Sequence, residues 1–204
     1  MSSIGIIDYG MGNLRSVQKA LEKLGFAAFI SSDAATLSQA DKLILPGVGA
    51  FRDAIARLRE TRLDETIRAH VAADKPLLGI CLGMQLLFTR GHEEGFWPGL
   101  DILPGEVIRF AHQPGLKVPH MGWNHLTFPR ECALFAGLPE QPAVYFVHSY
   151  YVVPGDMGIV TAEVSYPTPV TAAIQRGNVY ATQFHPEKSQ ALGLRILRNF
   201  AELA

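Results

Sequence analysis

The chain has 204 residues, of which 48% are hydrophobic and 18% charged, and its net charge is −1. This balance excludes a disordered chain and argues against binding to a nucleic-acid backbone. Two cysteines cannot form a disulfide framework, so we expect a reducing, cytoplasmic location. The length predicts one domain over residues 1–204, and the first residues and apolar runs predict neither a signal peptide nor a membrane span.

The first half of the chain alternates short apolar runs with amphipathic segments. The apolar runs predict strands at residues 4–8, 26–30, 42–45 and 77–80. The amphipathic segments predict a helix that Asn13 caps and Gly25 ends, and further helices at residues 50–59, 63–73 and 82–88. Alternation of this kind predicts a parallel sheet with helices on both faces.

The second half contains more strands than helices. Runs joined by Pro and Gly turns predict strands at residues 107–110, 143–153, 159–164, 170–175 and 179–184, followed by a helix at 189–203. The fold class is therefore α/β, with a mixed, mostly parallel open sheet, helices on both faces and an antiparallel addition.

The sharpest motif is Gly79-Ile80-Cys81-Leu82-Gly83, between a predicted strand and a predicted helix. It matches the nucleophile elbow, with Cys as the nucleophile. Flanking glycines relieve crowding around the strained turn, and a following helix N-terminus favours the thiolate. We therefore assign Cys81 as a candidate nucleophile; the alternative is a buried core thiol.

His185-Pro186-Glu187 follows the last predicted strand and supplies the groups that a Cys nucleophile needs. His185 can act as the base, and Glu187 can orient it. If Pro186 keeps the segment extended, side chains two residues apart point to the same side and can converge. The alternative is a His-Pro turn at the surface.

A second oxyanion donor is expected after the third predicted strand, at Pro46-Gly47-Val48-Gly49. The donors would be backbone N–H groups of the Gly47–Val48 turn and of Leu82. Taken alone, Pro46–Gly49 could equally be an ordinary strand-to-helix turn.

Other candidate sites are weaker. Gly10-Met11-Gly12 with Asp33 forms half of a dinucleotide fingerprint, but Arg15 stands where the third glycine belongs. Three histidines lack acidic or Cys partners at metal-ligand spacing, and we interpret them as solvent or interface residues: His112, His120 and His125. We predict no metal, no cofactor and no role for Cys132.

Together, the elbow, the Pro46–Gly49 turn and the His-Pro-Glu segment resemble the class I (triad) glutamine amidotransferases over essentially the whole chain. The resemblance implies a flavodoxin-like α/β fold. It also implies that a Cys81-His185-Glu187 triad hydrolyses glutamine to glutamate and ammonia through a thioester. The residues that it implies for glutamine binding are Gly49, Gln85, His148, Ser149 and Tyr150.

Two more specific segments are similar to the glutaminase subunits of imidazole glycerol phosphate synthases, in histidine biosynthesis: residues 8–14 and 119–124. That similarity implies a heterodimer with a (β/α)8-barrel cyclase subunit, which receives ammonia through a tunnel. The expected interface consists of the rim near Tyr145 and of Asn13, Pro119, His120, Met121, Trp123 and Asn124, with Trp123 as its anchor. We also expect the Pro46–Gly49 turn to switch the glutaminase on when the partner docks.

Three alternatives to this function remain open. The first is the glutaminase subunit of another complex, such as pyridoxal phosphate synthase, against which residues 119–124 argue. The second is a stand-alone cysteine hydrolase or peptidase, which would act on peptides instead of free glutamine. The third is a non-catalytic regulatory subunit, against which the intact triad argues.

Overall fold

The computed structural model describes residues 2–203. The strands of this part of the chain are β1 (Ile4–Ile7), β2 (Ala28–Ser31), β3 (Lys42–Gly47), β4 (Leu77–Cys81), β5 (Phe88–Gly91), β6 (Trp97–Pro98), β7 (Leu103–Arg109), β8 (His120–Thr127), β9 (Ala143–His148), β10 (Tyr150–Pro154), β11 (Val160–Ser165), β12 (Pro169–Arg176) and β13 (Val179–Thr182). The helices are α1 (Leu14–Lys23), α2 (Ala34–Ser38), α3 (Phe51–Glu60), α4 (Leu63–Ala72), α5 (Leu82–Leu86) and α6 (Gln190–Glu202).

A nine-stranded sheet dominates the described part of the chain, in the order β2-β1-β3-β4-β13-β12-β11-β8-β9. The first five strands are parallel, and every pairing from β13 to β9 is antiparallel. Every residue of β1, β3, β4 and β13 is buried, which is typical of parallel strands covered on both faces. The predicted fold class is confirmed.

Helices cover both faces of this sheet. Val17 of α1 and Ile196 of α6 belong to one buried apolar cluster. Ile55 of α3 and Ile67 of α4 belong to a second cluster, which also contains residues of α5. The residue that precedes α5, Cys81, is the last residue of β4 and so lies at the carboxyl end of a central parallel strand.

One predicted strand, at residues 143–153, is two strands in two sheets. β9 pairs with β8 at the edge of the large sheet, whereas β10 pairs with β7 in a smaller sheet of order β10-β7-β5-β6. The break falls at Ser149, whose carbonyl accepts a hydrogen bond from Phe110. The polar pair His148-Ser149 interrupts the apolar run at this point, but the sequence pattern alone does not show that the chain passes from one sheet to another.

Most other predicted elements lie within two residues of their observed bounds, with β7 beginning four residues before the predicted strand. The prediction at residues 82–88 was wrong at its end, because α5 stops at Leu86 and β5 begins at Phe88. The sequence also did not predict α2, β5, β6 or β8. Asn13 precedes α1 as expected, but its side chain makes no capping hydrogen bond. None of the helices within residues 2–203 combines the length and apolar character that crossing a membrane requires.

Candidate active site

Cys81 ends β4 and immediately precedes α5, as the elbow motif predicts. Its backbone has φ 55° and ψ −111°, a conformation that non-glycine residues rarely adopt. The turn is tight enough that a Cβ on Gly83 would lie 1.8 Å from the carbonyl oxygen of Leu45. A side chain at Gly83 is therefore excluded by the packing of α5 on β3.

His185 and Glu187 meet in the buried interior beside the elbow. Nδ1 of His185 donates a hydrogen bond of 2.8 Å to Oε1 of Glu187, and the two side chains are 2% and 1% exposed. The expected extended backbone was wrong, because Pro186–Lys188 forms a 3-10 turn. The turn brings the Glu187 side chain back to His185, so the pair forms through a turn and not along an extended segment.

The environment of His185 favours the charged imidazolium. Burial lowers the pKa of His185, but interactions with Cys81 and Glu187 outweigh burial and raise this pKa to about 9. Because Nδ1 donates to a carboxylate, it is Nε2 that can exchange a proton with Cys81.

A cavity of about 430 Å³ opens over Cys81 and His185. The structure brings nine of the predicted site residues to its wall: Val48, Gly49, Cys81, Leu82, Gln85, His148, Ser149, Tyr150 and His185. Pro119, predicted at the partner interface, also lines it, as do three residues that the sequence analysis missed: Glu93, Val147 and Lys188. A larger depression of about 700 Å³ surrounds Cys132 and contains no triad residue.

The Pro46–Gly49 turn lies against the elbow. A Cβ on Gly47 would be 2.9 Å from the backbone nitrogen of Gly83, and Gly49 has a positive φ of 94°. Tyr9, which the sequence analysis missed, donates from its hydroxyl to the carbonyl oxygen of Pro46 at 3.0 Å. Burial, together with the charge of Cys81, raises the pKa of Tyr9, so its hydroxyl keeps its proton.

Gln85 is buried, and its side chain is already hydrogen-bonded. Nε2 donates to the carbonyl of Tyr150 and to Oε1 of Gln183, both at 3.0 Å. Its Oε1 is therefore the atom left for a substrate. That Gln85 binds glutamine stays a prediction.

The prediction that His120 is a solvent or interface residue was wrong. His120 is 3% exposed and stacks between Phe146 and Tyr166, with ring centroids 4.6 Å and 3.8 Å away. The side chains of β8 alternate across the sheet, and His120 lies on the inner side. There it contacts His148, with Nδ1 of His120 3.0 Å from Nε2 of His148.

The outer side of β8 carries the exposed residues. Met121 and Trp123 are 63% and 49% exposed, and Trp123 lies edge-on to Tyr145 with ring centroids 6.1 Å apart. Asn13 is partly buried. Met121 and Trp123 therefore lie on the opposite side of β8 from His120. The sequence alone could not show this, because it does not give the orientation of the strand in the sheet.

The family model for class-I glutamine amidotransferases matches residues 5–203. The chain belongs to the class-I glutamine amidotransferases. Among residues 2–203 of this amidotransferase, no group of three or more His, Cys, Asp or Glu residues is placed to hold a metal ion.

Two full-length relatives of this amidotransferase carry the same name. The chain is 55% identical to imidazole glycerol phosphate synthase subunit HisH of Syntrophotalea carbinolica, over 98% of this chain and 100% of the relative. It is 52% identical to the subunit of the same name from Aquifex aeolicus, over 98% and 96% of the two chains.

Solved structures share the fold of this amidotransferase. A glutamine amidotransferase from Thermotoga maritima matches with a TM-score of 0.71 and 14% identity, over 99% of both chains. Another structure described as a glutamine amidotransferase matches with a TM-score of 0.77 and 23% identity, over 98% and 99% of the two chains.

Proposed function

We propose that this chain is the glutaminase subunit of imidazole glycerol phosphate synthase. It hydrolyses glutamine to glutamate and ammonia, and a cyclase partner uses the ammonia to form imidazole glycerol phosphate and aminoimidazole carboxamide ribonucleotide in L-histidine biosynthesis. One observation carries the proposal: Cys81, His185 and Glu187 meet in a chain with 55% full-length identity to a curated subunit of that enzyme.

The triad residues have separate roles in the reaction. Nε2 of His185 takes the thiol proton of Cys81, and the thiolate attacks the side-chain amide carbon of glutamine. The imidazolium then gives this proton to the leaving nitrogen, so that ammonia departs and a glutamyl thioester remains. Water adds to the thioester, regenerating the thiol and releasing glutamate. Glu187 holds Nδ1–H and stabilises the charged ring throughout.

Backbone N–H groups and the cavity wall complete the site. Leu82 and the Gly47–Val48 turn provide the oxyanion donors. Gly49, Gln85 and residues 148–150 bind the glutamine. Glu93 brings a carboxylate to the cavity wall, where it can pair with the α-ammonium group of the substrate.

The partner has a (β/α)8-barrel fold in this proposal, and the pair works in the cytoplasm. Ammonia released into water would be protonated and lose its nucleophilicity, so the two active sites must be connected.

The docking surface for the partner consists of Asn13, Pro119, Met121 and Trp123. The exposed Met121 and Trp123 support this assignment, since aromatic residues and Met are enriched in interface cores. Residues 1–204 form one amidotransferase domain.

The test is glutamine-dependent synthesis with a co-expressed barrel cyclase. We expect the pair to make imidazole glycerol phosphate from glutamine, and the cyclase alone to require added ammonium salt. Glutamate release from free glutamine without transfer to the cyclase product would contradict the assigned complex. Cleavage of a peptide in place of glutamine would indicate a stand-alone hydrolase.

A further inference from the structure

The carbonyl of Tyr150 fixes the direction of a buried hydrogen-bond chain that ends at Cys81. A carbonyl oxygen only accepts, so the amide end of Gln85 that faces it at 3.0 Å must be Nε2. The second proton of Nε2 then points to Gln183, which must present Oε1. Each amide therefore has a single orientation.

The orientation of Gln183 aims an N–H donor at the nucleophile. With Oε1 occupied by Gln85, Nε2 of Gln183 lies 3.7 Å from Sγ of Cys81, within hydrogen-bond range for sulfur. The backbone of Gln183 is held by an N–H bond of 2.8 Å to the carbonyl of Ala172. Its side chain is completely buried.

We propose that Gln183 is a further catalytic residue, whose side-chain N–H stabilises the thiolate of Cys81. A thiol is a weak acceptor, so this buried N–H is poorly satisfied while Cys81 is protonated. When the proton leaves, the same contact becomes a charge-assisted hydrogen bond. The donor is already in place, so no rearrangement is needed as the charge forms.

The proposal rests on the proposed function, in which Cys81 is the nucleophile, but its test needs no glutamine turnover. The probe is iodoacetamide, applied to the full chain over a pH series, with modification of Cys81 and Cys132 quantified separately by peptide mass spectrometry. The pH midpoint of the Cys81 alkylation rate reports thiolate formation. The titratable groups around Cys81 in the native chain are Tyr9, Glu93, His148, His185, Glu187 and Lys188. Gln183→Met leaves this set unchanged, whereas Gln183→Glu adds one carboxyl group to it.

Two substitutions distinguish removal of the N–H donor from its replacement by a negatively charged acceptor. Gln183→Met removes the donor, and we expect the midpoint to rise by about one pH unit. Gln183→Glu keeps the shape and can accept from Gln85, but it places a carboxylate oxygen by the sulfur, so we expect a larger rise. The matched control is Thr182→Val, which removes the adjacent buried hydrogen bond from Thr182 to Phe184 and should leave the midpoint unchanged.

Unchanged midpoints in both Gln183 variants, or an equal rise in Thr182→Val, would overturn the proposal. A supporting shift in a chain that hydrolyses no glutamine even with its cyclase partner would leave Gln183 as the donor to Cys81 and refute the proposed function instead. If neither Gln183 variant folds, side-chain amide NMR of the native chain decides. We expect the Gln183 Nε2–H signals to titrate with the alkylation midpoint and to lose that titration in Cys81→Ala; titration that persists there would overturn the proposal.

Discussion

The hydroxyl of Tyr9 donates a hydrogen bond of 3.0 Å to the carbonyl oxygen of Pro46. Tyr9 follows β1, and Pro46 lies near the end of β3, the strand that runs parallel beside β1. The bond is buried, and it joins the segment after β1 to the turn that carries the proposed oxyanion donors. The loop after β1 therefore supports the active site without contacting the substrate cavity.

Tyr9→Phe should lower the free energy of unfolding by about 1–2 kcal/mol, because it leaves the Pro46 carbonyl buried without its donor. Urea denaturation of the full chain measures the change. Tyr151→Phe is the control, because the Tyr151 ring stacks on Phe110 and Phe preserves that stacking. Equal stability of Tyr9→Phe and the native chain would show that the bond contributes nothing.

Cys81→Ala should abolish glutamine-dependent synthesis but leave partner binding and ammonia-dependent synthesis intact. A glutamine-analogue electrophile should label Cys81 and spare Cys132, since burial raises the pKa of the Cys132 thiol and its surroundings hold no triad partner. Mass spectrometry of the labelled chain identifies the modified cysteine. Product assays with glutamine or with ammonium salt measure the two kinds of synthesis. Residual glutamine turnover in the variant would remove Cys81 from its role.

Glu187→Gln should cost less activity than His185→Ala, by roughly one to two orders of magnitude in kcat. Gln keeps the shape at Nδ1 but cannot stabilise the imidazolium, whereas Ala removes the base altogether. Glutaminase assays with the partner present measure the two variants side by side. An equal or larger loss at Glu187 would mean that base and orienter are assigned in the wrong order.

Acid should destabilise the fold through two buried histidines. Burial lowers the pKa of His120 to about 4 and that of His148 to about 3, while the unfolded chain binds these protons near pH 6.5. The unfolded state therefore holds more protons below about pH 6.5, and the free energy of unfolding falls as the pH drops toward 4. Denaturation curves across this range measure the decline.

His120→Phe tests the cause of this decline. Phe can keep the stacking on Phe146 and Tyr166 but cannot be protonated. We expect a chain that is less stable at pH 7, because Nε2 of His148 loses its hydrogen-bond partner. We also expect its stability to depend less steeply on pH between 6.5 and 4. An unchanged slope would assign the acid sensitivity to other groups.

The isolated chain should have little glutaminase activity. We expect the Pro46–Gly49 turn to present a carbonyl to the oxyanion position at rest, and partner docking with acceptor binding to favour the flipped peptide. The positive φ of Gly49 is compatible with such a rotation. One oxyanion donor contributes roughly a factor of 10² to 10³ to the reaction rate. The free energy that shifts the peptide to its flipped orientation must come from tighter binding of the partner to that orientation than to the resting one.

Turnover of the chain alone, with the partner, and with the partner plus an acceptor analogue tests this switch. Equal rates under all three conditions would refute it. A free structure with both N–H groups aimed at the Cys81 cavity would refute the peptide flip alone.

The sequence by itself determined those elements that depend on residues close together in the chain. The elbow at Cys81 was predictable because glycine spacing, a preceding apolar run and a following helix occupy adjacent positions. The parallel sheet was predictable because short apolar runs alternate with amphipathic segments along the first half of the chain. The resemblance of short motifs to one family then indicated the chemistry of residues that are far apart in the chain.

Tertiary structure decided what depends on register and on contacts across the chain. Strand β8 places His120 in the interior and Trp123 at the surface, although both lie in one short segment. Gln183 could have been suspected from its position two residues before His185, but only the contact with Gln85 fixes which end of its amide faces Cys81. Hydrogen-bond direction is set by partners that fold from elsewhere, so a local pattern cannot contain it.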